Sequence, residues 1–242
     1  METTIHEIAP DLFRISTYVD GFGIQFNQFL LRDDEPFLMH TGMRRMFPAT
    51  LEAVARIIDP ASLRWIGYSH FEPDECGALN EWFGVAPQAA PVCGTVGAMV
   101  MLGDFSDRPA RPMADNELLE TGRHRLRFVS TPHLPHGWDA GLFFDETDRT
   151  LFCSDLLFQP GNTKPLSESD IVGPAVEAMR GALEGPMAKD MPYTRDTRRL
   201  LDRLTALEPR TLAVMHGASF HGDGAGTLRA YADAVDAVLG AA

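Results

Sequence analysis

His70-Phe71-Glu72-Pro73-Asp74-Glu75 is the stretch on which the reading of this chain turns. It places four potential metal ligands within six residues, directly after the apolar run Leu63 to Ser69 (LRWIGYS), which reads as a buried strand. Alternation puts His70, Glu72 and Asp74 on one side of an extended loop, and Pro73 stiffens the turn between two of them. Taken alone, the cluster is either a solvated acidic loop or a ligand set. It becomes more informative if further His and Asp residues also end strands.

They do. His136 lies in Thr131-Pro132-His133-Leu134-Pro135-His136-Gly137-Trp138-Asp139, which leaves a strand read over Arg125 to Ser130. Asp155 closes Leu151-Phe152-Cys153-Ser154-Asp155, and His216 follows Leu212-Ala213-Val214-Met215. Each candidate stands where an apolar strand runs out, which is where α/β folds place their chemistry. An aspartate leaving a buried strand is costly unless it is paired or bound to metal.

Outward from these positions, Leu12 to Val19, Ile24 to Leu31 and Pro36 to Met39 read as hairpin-connected strands. Pro48 to Ile58 has helical spacing, and a helix near Leu79 to Phe83, a strand at Pro91 to Cys93 and a helix near Val96 to Leu102 follow. Strands begin again at Arg125 to Ser130, Gly141 to Phe144 and Thr150 to Cys153. Residues 156–192, rich in Pro, Gly and Met, read as an insertion with a helix near Ile171 to Leu183, Ser167 and Asp170 having capping-box spacing at its start. Thr194 to Leu207 is amphipathic, with Leu200, Leu201, Leu204 and Leu207 on one side; a strand at Arg210 to Met215 and a helix at Thr227 to Leu239 close the chain. Strands and helices thus occur twice over. Two packed α/β halves, sheets inside and helices outside, give this pattern, though other α/β folds also permit it.

The chain has 242 residues, enough for a single domain (1–242) without staples, and its 45% hydrophobic and 23% charged residues are ordinary for a globular protein. A net charge of -13, from 34 acidic and 21 basic residues with no basic stripe, argues against nucleic acid and anionic membranes as partners. No apolar run approaches a membrane helix, and METTIHEIAPDLF does not resemble a signal peptide. Cys76, Cys93 and Cys153 form no CxxC pair, which suits a reduced cytoplasm. The absence of GxSxG, GxGxxG and GxxxxGK patterns leaves serine-hydrolase, dinucleotide and NTPase readings without support.

HxExD, a later His in a Pro- and Trp-containing loop, Asp after Leu-Phe-x-Ser, a strand-terminal His216-Gly217 and Asn27-Gln28-Phe29-Leu30 together resemble the metallo-β-lactamase-like domain of flavodiiron proteins. The stand-alone oxygen-binding diiron proteins are nearest, and the resemblance covers essentially the whole chain. It implies an α/β fold of αββα four-layer sandwich type. It also implies two iron ions, the first on His70, Glu72 and His136, the second on Asp74 and His216, with Asp155 bridging. Hydrolytic zinc relatives usually carry HxHxDH, so Glu72 is the discriminating residue, carboxylates suiting iron better than a nitrogen-rich set does.

The sequence departs from the family at two places. Glu75 stands where the family has a histidine ligand of the second metal; it is expected to bind there, the other reading being that it turns outward. If it binds, four carboxylates neutralise two divalent ions and favour the ferric state. His40, in Leu38-Met39-His40-Thr41-Gly42, replaces an aspartate; it can take over that hydrogen bond, reach the metal, or be a core histidine. His133 competes with His136 for one role, and the following Gly137-Trp138-Asp139 favours His136. His6 and His124 read as surface residues, and His221 as a loop histidine.

The resemblance implies binding of dioxygen or nitric oxide at a non-haem diiron centre, cycling between Fe2+ and Fe3+, in a homodimer. The sequence ends where flavodiiron proteins continue into a flavodoxin-like domain, so no FMN is expected. Electrons for an oxidoreductase then come from an external donor; without them the protein is an oxygen binder or sensor with a signalling partner. The alternative is a dinuclear zinc hydrolase.

Overall fold

The computed structural model describes residues 2–240. Two seven-stranded sheets form its centre. The first contains β1 (Thr3–Ala9), β2 (Leu12–Val19), β3 (Ile24–Leu31), β4 (Phe37–Met39), β5 (Trp65–Gly67), β6 (Ala90–Gly94) and β7 (Arg111–Met113), in that order. It begins as an antiparallel meander and turns parallel from β4 onward. Helices α1 (Phe47–Ala55), α2 (Pro73–Cys76), α3 (Leu79–Val85) and α4 (Leu102–Phe105) fill its crossovers.

The second sheet holds β8 (Leu118–Glu120), β9 (Arg125–Ser130), β10 (Gly141–Asp145), β11 (Thr150–Ser154), β12 (Leu166–Ser167), β13 (Thr211–Val214) and β14 (Ser219–His221), in the order β12-β14-β13-β11-β10-β9-β8. It repeats the plan: an antiparallel run from β8 to β11, then a parallel β11–β13 pair. Its helices are α5 (Val172–Ala182), α6 (Thr197–Thr205) and α7 (Gly224–Leu239).

Three buried clusters define four layers. Phe29, Phe37, Phe128, Phe143 and Phe152 pack between the two sheets. Ile15, Leu30, Val54, Leu79 and Trp82 join the first sheet to α1 and α3. Cys153, Leu200, Leu204, Leu228 and Val235 join the second sheet to α6 and α7. In β3, Leu30 faces the helices while Phe29 and Leu31 face the other sheet. A strand covered on both sides reads as a continuous apolar run instead of an alternating one. The architecture is therefore the metallo-β-lactamase-like αββα sandwich. No described helix is long and apolar enough to cross a membrane.

Several local features differ from the sequence reading. Val96 to Leu102 is a π-helical turn (Gly97–Met101) running into α4, not one regular helix. At the start of α5 the expected capping box does not form. Asp170 itself accepts from the amides of Val172 and Gly173, while the Ser167 hydroxyl bonds to Ser169. β1, β7, β8, β12 and β14 were not anticipated, and four of these have only two or three residues. So short a strand exists because a neighbour pairs with it; it has no room for a period of its own.

Candidate metal centre

The strand ends bring the candidates together. β5 runs into Ser69 and His70, and β11 and β13 lie parallel with Phe152 beside Ala213, so Asp155 and His216 emerge side by side. Asn27 of β3 fastens that end: its amide group donates to the carbonyls of Val214 and Gly217, both at 2.9 Å, and its backbone N–H donates to Met215 O. Gly217 has φ +126°, and a Cβ there would meet Gln159 at 2.7 Å, so the turn after His216 requires glycine.

Asp155 occupies the middle. Its Oδ2 lies 3.4 Å from His70 Nε2 and 3.3 Å from His136 Nε2, while its Oδ1 lies 3.1 Å from His216 Nε2. Glu72 joins the first group, with Oε1 3.2 Å from His136 Nε2 and Oε2 3.8 Å from His70 Nε2. One donor atom from each of His70, Glu72, His136 and Asp155 falls within 4.8 Å of the others. Asp74 joins the second group, with Oδ2 3.3 Å from His216 Nε2. His70 and His216 are buried, and Glu72 is half-exposed at the entrance.

The imidazoles are oriented from behind. His216 Nδ1 donates to the Gln25 carbonyl at 2.8 Å, and the ring stands edge-on between Phe26 and Phe158. His70 Nδ1 faces the Ser69 hydroxyl at 3.0 Å and Glu75 Oε1 at 3.3 Å. His136 Nδ1 faces Asp190 Oδ1 at 3.5 Å. In each case the rear contact aims Nε2 at the shared centre, as the partners behind metal-binding histidines do.

Charge and desolvation fit a cation site. His70 Nε2, His136 Nε2 and Asp155 Oδ1 are buried without a hydrogen-bond partner. Burial opposes charge on His70 and His216, yet the surrounding carboxylates raise both to about 10. The facing imidazoles of His136 and His70 hold Glu72 down at about 2. Asp155 is held well below the ordinary carboxylate range: burial works against its charge, and the facing His216, His70 and His136 outweigh it. The imidazole protons thus neutralise carboxylates that metal ions would otherwise neutralise, and metal binding releases such protons. Orphaned imidazole and carboxylate atoms aimed at one small volume fit two metal ions, so the residues present suit the group the family implies.

Glu75 takes a different position. Expected as a ligand of the second ion, it is fully buried on the Nδ1 side of His70, away from the Nε2 that faces Asp155. Oε2 accepts from the backbone amides of Ser69 at 2.7 Å and His70 at 2.9 Å, and Oε1 accepts from the Ser154 hydroxyl at 2.7 Å. His40 lies behind it, fully buried, with Nε2 3.4 Å from Glu75 Oε1. Burial holds the His40 pKa down. The cause of Glu75's placement is α2. The segment stays extended only as far as Glu72; from Pro73 it is helical, and the roughly 100° rotation per helical residue turns Glu75 away from Asp74.

The remaining histidines separate clearly. His133 and His221 are exposed, the latter 3.0 Å from the Thr211 hydroxyl, and His6 is exposed. His124, read from sequence as a surface residue, is buried with Nδ1 2.7 Å from Asp145 Oδ2; a polar side chain flanked by arginines gives no local sign of such a partner. Sequence reasoning missed Ser69, Ser154 and Asp190. The serines had a signal: each directly precedes a candidate ligand at a strand end, and their hydroxyls meet at 2.6 Å. Asp190 had none, lying in a segment without periodicity.

Comparison with known proteins gives the family and the fold. The ODP family beta lactamase profile matches residues 24–217. A Thermosynechococcus vestitus protein with the provisional description diflavin flavoprotein A 1 is 29% identical over 201 residues, covering 81% of this chain and 34% of its own length. Flavo-diiron protein FprA2 of Clostridium acetobutylicum is 27% identical over 139 residues, 56% of this chain and 34% of that protein. The chain therefore spans about a third of the length of these relatives. Among solved structures, rubredoxin oxygen:oxidoreductase of Desulfovibrio gigas superposes with TM-score 0.82 at 19% identity, covering 95% of this chain and 61% of that one. The Flv1 flavodiiron core of Synechocystis gives 0.79 at 21%, covering 97% and 61%. At such identities these two structures speak for the fold alone.

Proposed function

The chain belongs to the ODP family of beta lactamases, and from that premise we propose that it is a non-haem diiron protein that binds dioxygen or nitric oxide. The observation that carries this reading is Asp155, whose two oxygens face different histidines: Oδ2 toward His70 and His136, Oδ1 toward His216. In this reading His70, Glu72, His136 and Asp155 hold one ion, and Asp74, His216 and Asp155 the other. Glu75 serves behind His70, because its oxygens are already engaged by Ser69, His70 and Ser154. The four bound carboxylates expected to favour the ferric state accordingly fall to three.

Iron held by these residues would supply the reducing electrons and the affinity for a diatomic gas. The chain's residues do the rest. Glu72, Asp74 and Asp155 offset most of the charge of two divalent ions, and this oxygen-rich set favours iron over zinc. Ser69 and Gln25 hold the rings of His70 and His216 by hydrogen bonds, and Asp190 lies 3.5 Å behind the ring of His136, which limits reorganisation on loading. Electrons come from an external donor if the protein turns over; without one it acts as an oxygen binder or sensor. We propose the homodimer and the cytoplasm as its setting.

The test is anaerobic loading with ferrous iron, metal analysis, then exposure to O2 or NO followed by absorbance. Two irons per chain and a near-ultraviolet charge-transfer band appearing with the gas are expected. Two tightly held zincs, no spectral response and hydrolysis of esters or phosphodiesters would instead identify a dinuclear zinc hydrolase.

A further inference from the structure

A cavity of about 600 Å³ opens beside the proposed metal pair, with His136 and Asp155 at its inner end. A diatomic gas is only somewhat larger than a water molecule, whose share of liquid volume is roughly 30 Å³. The space is many times larger than the reading above requires, and it falls in the roughly 300–1,000 Å³ range of pockets that hold organic ligands.

Its walls are apolar. Ala178 and Met179 of α5 and Met187 and Met191 of the following segment face Phe22 and Phe158. Phe22 and Met187 stand at the mouth, 65% and 57% exposed. Methionines at the wall of a pocket adapt to varied apolar shapes. The charged or ionisable groups that reach the cavity are few. His136 and Asp155 belong to the metal centre, Asp190 faces His136 Nδ1, and the Tyr231 hydroxyl is directed at Met191 Sδ, 3.7 Å away. Among the described residues, no lysine or arginine lines it. A ligand with charges along its body would therefore be desolvated there without a partner.

We propose that this cavity binds an apolar organic molecule, chain or ring, that carries a single oxygen donor at the end pointing to the metals. The apolar body follows from the walls alone. The oxygen donor rests on the diiron reading, since with His136 and Asp155 holding ions and Asp190 facing His136 Nδ1, an open metal position would be the partner left for an oxygen lone pair at the inner end.

Nile red, a neutral dye whose emission shifts to the blue in apolar surroundings, tests the two parts separately. Saturable, blue-shifted binding by both metal-free and iron-loaded protein is expected. Ala178→Trp fills the space from α5 and should weaken binding at least tenfold with metal content unchanged. Met187→Asp places a charge at the exposed mouth, where folding is not at stake, and should weaken it about fivefold. Absence of saturable binding, or parental affinity in a folded Met187→Asp variant, overturns the proposal. So does a sedimentation result in which a dimer excludes the dye and Phe22→Asp both releases the monomer and admits it, because a second copy would then cover the cavity. 1-Octanol should displace the dye at lower concentration from iron-loaded than from metal-free protein. Equal displacement from a chain shown to hold two irons refutes the oxygen-donor head. A chain that takes up no metal fails the diiron reading instead, and leaves dye binding as the test of the apolar site.

Discussion

Replacing Glu75 with glutamine separates a metal ligand from a buried anchor. In the structure Glu75 Oε2 accepts from Ser69 N and His70 N, and Oε1 from Ser154 Oγ. Glutamine can keep its oxygen on the two amides and turn its NH2 group toward Ser154 Oγ and Ser69 Oγ, hydroxyls able to rotate and accept. The geometry survives and the charge is lost. A hydrogen bond to a charged group is worth about 1.5–3 kcal/mol and a neutral one about 0.5–1.5, so the two amide bonds together lose on the order of 2 kcal/mol. For a chain of this size each kcal/mol moves Tm by roughly 2–4 °C, which gives a fall of about 4–8 °C. Removing the carboxylate behind His70 also weakens the first ion, by about ten- to a hundredfold in affinity, without removing a ligand. Calorimetry with metal analysis at saturating iron reads both effects: Glu75→Gln should unfold earlier yet still take up two irons per chain. Glu75→Ala should unfold earlier still, since it leaves the amides of Ser69 and His70 buried without acceptors. An unchanged Tm with iron falling from two to one, the first site intact, would refute the anchor and restore Glu75 as a ligand of the second ion.

Asp155→Ala should lower iron content toward zero while Asp74→Ala leaves one ion per chain; equal losses in both, by metal analysis, would contradict a central position for Asp155. Glu72→His should raise the preference for zinc over iron at least tenfold in competition loading and abolish the oxygen-dependent absorbance change, and iron cycling like the parent's would remove Glu72 as the discriminator. The hydrogen bond to Asp145 raises the His124 pKa above its ordinary value against the effect of burial. The protonated form is therefore favoured in the folded state, and its stabilisation is complete below the unfolded pKa of about 6.5 and fades as pH rises through the folded one. Urea unfolding should accordingly find His124→Gln destabilised most near pH 6 and progressively less toward pH 9; a gap that widens with pH would reverse the sign of this argument.

Sequence alone placed three of the long strands. Leu12–Val19, Ile24–Leu31 and Arg125–Ser130 have the bounds read from their residues, because six to eight β-forming residues bounded by turns carry a local signal. It also placed His70, His136, Asp155 and His216 at strand ends, since a polar residue closing an apolar run is visible in one dimension. What it left open was direction. Glu75 was legible as a carboxylate beside the ligands, but whether it faced the metals depended on one helical turn at Pro73–Cys76 and on two serines from different sheets converging behind it. Ser69 and Ser154 are 85 residues apart, Asp190 and His136 are 54 apart, and no local period links either pair. The short strands β7, β8, β12 and β14 exist through pairing. The cavity beside His136 and Asp155 arises where α5 and its following segment face the β2–β3 turn. Local propensity is written residue by residue along the chain; hydrogen-bond partners, burial and enclosed space are properties of segments brought together, and only the packed structure fixes them.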